Sequence, residues 1–235
     1  MTAPPLKKTT RKSRDPVRTR ASILLAAREE FKTNGLSGAR TSMIAKRAGV
    51  PQGLIYHYFE GKAELFRAVL EDSMEGYFVS TIDMLTAGAD EPSLALIERA
   101  IRLHFDFLRQ HPHVPRLVAW WRADQGWRDG PMLSVEKAHL CERPYELGSQ
   151  RIREGQAAGL IRPELDPILA ISSFIGLSME WHINEEMHCA EQGIRPDDRD
   201  AIEKLQDQAL DHIVELVLNG VATKSIALKP EEIQS

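Results

Sequence analysis

Residues 48–66 read AGVPQGLIYHYFEGKAELF. Two apolar patterns of helical period, around Ile55 and around Leu65-Phe66, are separated by Gly61. Between them stand Gln52, Tyr56, His57, Tyr58 and Lys62, five hydrogen-bonding side chains within about three helical turns. A segment that only built a core would not carry so many. Working outward, Gly49 breaks a short helix that runs from about Ser42 to Ala48, with Thr41 as its N-cap. Pro51 opens the next helix, which reaches about Tyr58. Upstream, Val17 to Asn34 places Ile23, Leu24, Ala27 and Phe31 on one face, with Gly35 as the stop.

The spacing therefore predicts a helix-turn-helix. Ile44 and Ala45 face inward, Gly49 permits the tight turn and Val50 plugs it. The second helix presents its N-terminal half outward. Gln52 can pair with adenine through its amide, Gly53 lets the backbone approach closely, and Tyr56, His57 and Tyr58 suit phosphate oxygens and thymine methyls. Lys62 opens the following helix, where its charge and the free N–H groups both favour a phosphate.

Charge agrees with this reading. The 235-residue chain carries a formal charge of −4, but residues 1–70 hold 14 Lys and Arg against 5 Asp and Glu, and residues 71–235 hold 16 against 29. A +9 first third on a −13 body expects a polyanionic partner for the first third. Residues 1–16 read as a disordered basic arm, in which Lys7, Lys8, Arg11, Lys12 and Arg14 face the single acid Asp15. Two cysteines, Cys141 and Cys189, exclude a disulfide scaffold and fit a reducing compartment. The N-terminus has no apolar core of a secretory signal, and the most apolar run, 167–179, is too short to span a bilayer. A cytoplasmic protein without a membrane partner is expected.

No strand signal of any length occurs. The expected fold is all-α, about nine helices. The fourth helix starts near Lys62 and runs past Ser73 to about Thr81. Others cover Leu94–Leu108, His111–Ala123, Pro131–Ala158 (kinked or split at Pro144), 167 to about Cys189 behind an Asp166-Pro167 start, and about Asp198 to Leu218, ending at Asn219-Gly220. The expected organisation is the arm, a three-helix head at 17–62, a larger helical domain at 63–220 and a tail at 221–235. The helix after Pro167 is apolar nearly all round, which predicts a homodimer through the two C-terminal helices.

The stretch 26–66, AAREEFKTNGLSGARTSMIAKRAGVPQGLIYHYFEGKAELF, resembles the DNA-binding domain of the tetracycline-repressor (TetR) family of bacterial transcription regulators. The resemblance covers about residues 18–70 closely and the remainder only in helix count and order. It implies a phosphate contact at Thr41, entry of Gln52, Gly53 and Leu54 into the major groove, mainly phosphate contacts from Tyr56, His57 and Tyr58, and backbone anchoring by Lys62. Pro51 stands where serine is frequent, Leu54 replaces a small polar residue and Tyr58 a frequent histidine. Those departures bear on which operator is read. The resemblance further implies a palindromic operator in double-stranded DNA, a dimeric body and a pocket for a small organic effector whose binding releases the DNA. His104, Phe105, Leu108, Trp120, Trp121, Phe174, Met179, Trp181 and His182 are the candidate lining, with Arg122 and Glu180 as further polar anchors. Trp120 and Trp121 lie about 100° apart on a helix, so both cannot face one cavity.

Other classes are weaker. An architectural DNA protein held by the arm would bind without sequence preference. An enzyme would need a nucleophile, phosphate loop or carboxylate pair, and none is evident. The segment WHINEEMHC (181–189) has metal-like spacing at His182 with Glu185 or Glu186, and at Glu185, His188 and Cys189, but it lacks a second ligand cluster, so neither a metal nor another cofactor is expected.

Overall fold

A computed structural model of the chain describes residues 15–88, 91, 93–123 and 133–223. The basic residues of the arm up to Arg14, the Gly126–Pro131 segment and the tail from residue 224 lie outside these. Among the described residues there are ten α-helices: α1 Pro16–Gly38, α2 Thr41–Ala48, α3 Gln52–Tyr58, α4 Lys62–Ala87, α5 Ser93–Gln110, α6 His113–Ala123, α7 Ala138–Ala157, α8 Pro167–Ile183, α9 Glu185–Glu191 and α10 Arg199–Val221. A 3-10 turn, Val135–Lys137, precedes α7. The all-α expectation holds. No helix among the described residues is long and apolar enough to cross a membrane.

The helix ends follow local chemistry. Asp15 caps α1 by accepting from Val17 N at 3.0 Å. Inside α1, Gly35 leaves helical geometry at φ 64°, ψ −174°, so the continuous helix ends where the glycine was read as a stop. Gly49 closes α2 in the left-handed region, φ 67°, ψ 33°, and Val50 N returns to Ala45 O at 3.0 Å. Asp166 caps α8, accepting from Ile168 N and Leu169 N, both at 2.9 Å.

Several boundaries depart from expectation. α4 runs on to Ala87, beyond Thr81, and α7 begins at Ala138 rather than at Pro131. Pro144 lies inside α7, which runs through it unbroken, packed against α4 and α8. The loss of one intrahelical hydrogen bond is smaller than the packing that α7 gains. α8 stops at Ile183 rather than near Cys189. Asn184 turns its amide back onto Glu180 O at 3.1 Å and the chain restarts as α9. α10 continues through Asn219-Gly220 to Val221, because Val217, Leu218 and Val221 are all buried and Val221 O accepts from Arg162 N at 2.9 Å. That bond belongs to an isolated bridge between Ile161 and Ala222.

Two cores result. One joins α1–α4 to α6, through Ile23, Phe31, Ile44, Ile55, Leu65, Phe66 and Leu117. The other lies between α5, α7, α8 and α10 around Ile101, Phe105, Phe174 and Val214. α4, 26 residues and about 39 Å long at 1.5 Å per residue, reaches from the head into the body.

Candidate functional site

Burial divides α3 by side. Ile55 is wholly buried and the following Phe59 nearly so, while Tyr58 packs half-buried against the same core. Gln52, Gly53, Tyr56 and His57 are exposed, and Leu54 is half-buried. Pro51 supplies no side-chain cap to α3. Thr41 is the first residue of α2 rather than its N-cap, which is Arg40 and makes no side-chain cap bond, and Thr41 lies against the exposed side. Its Oγ1 accepts from Gln52 Nε2 at 3.0 Å and is 3.2 Å from Tyr56 Oη. Three of the residues singled out for DNA reading thus form one hydrogen-bonded set. His57 stacks edge-on against Tyr58, ring centroids 5.4 Å apart. On the preceding helix, Arg40 at the start of α2 and Lys46 and Arg47 in its last turn are exposed cations, and the Arg20 guanidinium lies 5.4 Å over the Phe59 ring.

Lys62 is held differently from the others. Its ammonium donates to Ser37 O at 3.0 Å and Ala39 O at 3.1 Å, tying the start of α4 to the turn between α1 and α2. Those two bonds leave one of its three N–H groups for a phosphate. At the same terminus Glu64 accepts from Glu60 N, so this part of the helix start already holds a carboxylate. Glu30, buried, accepts from Arg40 N at 3.3 Å and fixes the entry to α2.

The head is joined to the body through α1, α4 and α6. Arg28 pairs with Asp72 at 2.6 Å. Ser73 Oγ donates to Val69 O at 2.7 Å, so its oxygen accepts from His113 Nε2 at 3.1 Å. That fixes the proton of neutral His113 on Nε2. Burial first, then the nearby positive charge of Arg28, His111 and Lys32, lowers its pKa to about 4. Trp120 lays its indole on Gly35, where a Cβ would sit only 2.7 Å from the ring.

The body contains a cavity of about 350 Å³ walled by α4–α8 and α10, within the range of small-molecule sites. His104, Leu108, Trp121, Phe174 and Met179 line it, as does Arg122. Phe105, Trp120, Trp181, His182 and Glu180 do not. Phe105 is buried on the other side of α5 against Trp181 and His182, with ring centroids 5.4 and 4.4 Å away. Trp120 points to the head, which settles the choice between the adjacent tryptophans in favour of Trp121. His182 spends Nδ1 on Ser178 O at 2.8 Å, and Glu180 accepts from Asn184.

Inside the cavity, His104 Nδ1 lies 3.0 Å from Tyr77 Oη. Burial, then the neighbouring His182, depresses its pKa to about 3, so the ring is neutral at pH 7. Burial likewise raises the Tyr77 phenol and lifts the Cys141 thiol to about 11, leaving both protonated. Tyr77, Cys141, Tyr145 and Arg151 also line the cavity and were absent from the candidates. A signal for the first existed: Met74, Tyr77, Phe78, Thr81 and Leu85 recur at i, i+3, i+4, i+7 and i+11, one face of α4.

The metal-like segment disperses. Glu185 accepts from Gln206, Glu186 pairs with Arg116, and Cys189 is buried. Among the described residues no group of three or more His, Cys, Asp or Glu is placed to hold a metal.

A helix-turn-helix head with its reading helix exposed, set on a helical body that encloses an apolar cavity, defines the class of DNA-binding transcription regulators. Residues 23–69 match the family described as bacterial regulatory proteins, tetR family, and residues 98–209 match the tetracyclin repressor-like C-terminal domain. The chain belongs to the TetR family of transcription regulators. It is 33% identical over 149 residues to the HTH-type transcriptional repressor SCO4008 of Streptomyces coelicolor, covering 63% of this chain and 70% of the relative. Over 117 residues it is 32% identical to the transcriptional regulator RutR of Escherichia coli, 50% of this chain and 54% of that one. In fold it is similar to the ketosteroid transcriptional regulator KstR2 of Mycobacterium tuberculosis, TM-score 0.61 at 18% identity, over 93% of this chain and 98% of that one.

Proposed function

We propose that the protein is a cytoplasmic repressor that binds a palindromic operator as a homodimer and is released by a small, mostly apolar effector in the body cavity. The observation that carries this reading is the exposed side of α3, where Gln52, Gly53 and Tyr56 stand beside Thr41. Gln52 and Leu54 read bases, Thr41, Tyr56, His57 and Tyr58 take phosphates, and Lys62 anchors the backbone with its remaining N–H. Exposed Leu169 and Leu177 on α8 and Leu216 on α10 support a dimer, since a second copy would cover them. Repression rather than activation is favoured by the repressor SCO4008. A hundredfold loss of operator affinity requires the effector to favour the DNA-incompetent state by about 2.7 kcal/mol, a modest demand on a cavity of this size.

Selection of bound DNA from a random duplex library, followed by a salt titration on the winner, tests the reading. An enriched palindrome bound by two copies is the expected result. Binding without enrichment that vanishes as salt rises would replace it with an architectural role.

A further inference from the structure

We propose that the cavity selects an amphipathic organic anion, a hydrocarbon body with one carboxylate-like head, bound with its head outward at Arg122 and Tyr145 and its body running inward along α4 and α5. The inference rests on reading the cavity as the effector site.

The wall comes first. On α5 the lining extends from Leu96 to Leu108, and on α4 from Met74 to Leu85, so more than three turns of each helix border the space. Nearly all of the wall is hydrocarbon or aromatic.

Charge comes second. Among the described residues two ionised side chains line the space, Arg122 and Arg151, and both are cations; no described Asp, Glu or Lys does. Arg151 is matched by Glu154 at 2.7 Å. Arg122, in the last turn of α6, makes no ion pair among the described residues. It is also exposed, which marks where the cavity meets solvent. Half-buried Tyr145 also lines the cavity, near enough for its phenol to feel the Arg122 charge, and that phenol hydrogen-bonds Ser172.

The interior suits a charged head less well than the rim. Buried His104 and half-buried Tyr77 are neutral there, so a carboxylate beside them would lose its hydration and gain in return a neutral donor such as His104 Nε2 rather than a solvated cation. A head group at Arg122 keeps water on one side and gains a charge-assisted hydrogen bond. A cationic amphiphile meets only like charge at the same rim.

Calorimetric titration of the full chain with dodecanoate, dodecanol and dodecyltrimethylammonium, each below its micelle concentration, tests this. Dodecanoate should bind about tenfold more tightly than the alcohol, the ordinary worth of one hydrogen bond to a charged group. In Arg122→Gln, a surface change, that gap should close while the alcohol is unaffected. Ala100→Trp, which fills the middle of the cavity, should weaken both. Equal binding of acid and alcohol, tightest binding of the ammonium, no binding of any of the three, or indifference to Ala100→Trp would each overturn the proposal. Operator affinity is measured beside it. Tight, Arg122-dependent binding of dodecanoate that leaves DNA affinity unchanged would uphold the ligand class and refute the effector role.

Discussion

Replacing Gly35 by alanine probes the joint between the head and the body. The residue sits at φ 64°, ψ −174°, a region occupied almost only by glycine, and forcing a side chain to stay there costs about 1–3 kcal/mol. The added Cβ would also lie 2.7 and 2.8 Å from two carbons of the Trp120 ring. Overpacking of that kind costs about 1–3 kcal/mol when the neighbour cannot withdraw. Trp120 is 40% exposed, so part of that overlap can be relieved by swinging the ring outward. Gly35→Ala should therefore lose about 2–5 kcal/mol. In the Trp120→Ala background the overlap disappears but the backbone strain does not, so the same change should cost only about 1–3 kcal/mol. Urea unfolding of the four proteins of this cycle, followed by far-ultraviolet circular dichroism, measures both figures. A Gly35→Ala protein as stable as the parent would refute the strain argument. Equal costs in both backgrounds would refute the contact with Trp120.

Other expectations follow from the same geometry. Gln52→Ala should relax base preference at one operator position at a cost of about 1–3 kcal/mol, and an affinity loss equal for every sequence would remove Gln52 from base reading. Removing residues 1–14 should flatten the salt dependence of binding without changing the selected sequence; a changed consensus would show that the arm reads a groove. Lys62→Met should lower thermal stability as well as DNA affinity, because it strips two carbonyls of their donor; loss of affinity alone would contradict the tie to Ser37 and Ala39. Acid should destabilise the fold. His104 titrates at 6.5 when unfolded and at about 3 when folded, so its contribution is complete above pH 6.5 and is lost as pH falls toward 3. The slope is about 1.4 kcal/mol per pH unit, with a smaller part from the more solvated His113. His104→Gln should flatten the stability profile between pH 6.5 and 4; an unchanged profile would mean that His104 is protonated in the native state.

The head was the most legible part of the molecule, because its turns depend on residues with few substitutes. Gly35 and Gly49 both adopt positive φ, and the Asp166-Pro167 start behaves as its chemistry requires. Where packing overrides local preference, the sequence misleads. Gly220 carries no mark that α10 must continue one residue beyond it to bury Val221, and Pro144 reads as a break although α4 and α8 hold α7 together. Asn184 is a weak signal that becomes decisive only once its amide folds back on Glu180. The cavity was half legible for a related reason. Aromatic residues in an apolar helix look alike whether they line a space or fill one, and only the phase of each helix against its neighbours separates Trp121 from Trp120, or His104 from Phe105.

The set formed by Gln52, Thr41 and Tyr56 has a consequence for errors in recognition. A base-reading amide with no alternative partner punishes a wrong base severely, since it is left dry and unbonded. Here the amide has somewhere to return to: Thr41 Oγ1 is 3.0 Å away. On the proposed assignment of Gln52 to base reading, a mismatch at that base pair forfeits one bond and recovers another, so discrimination there should lie at the low end of the roughly 1–3 kcal/mol expected of Gln52, and operators should drift there more freely than at their neighbours.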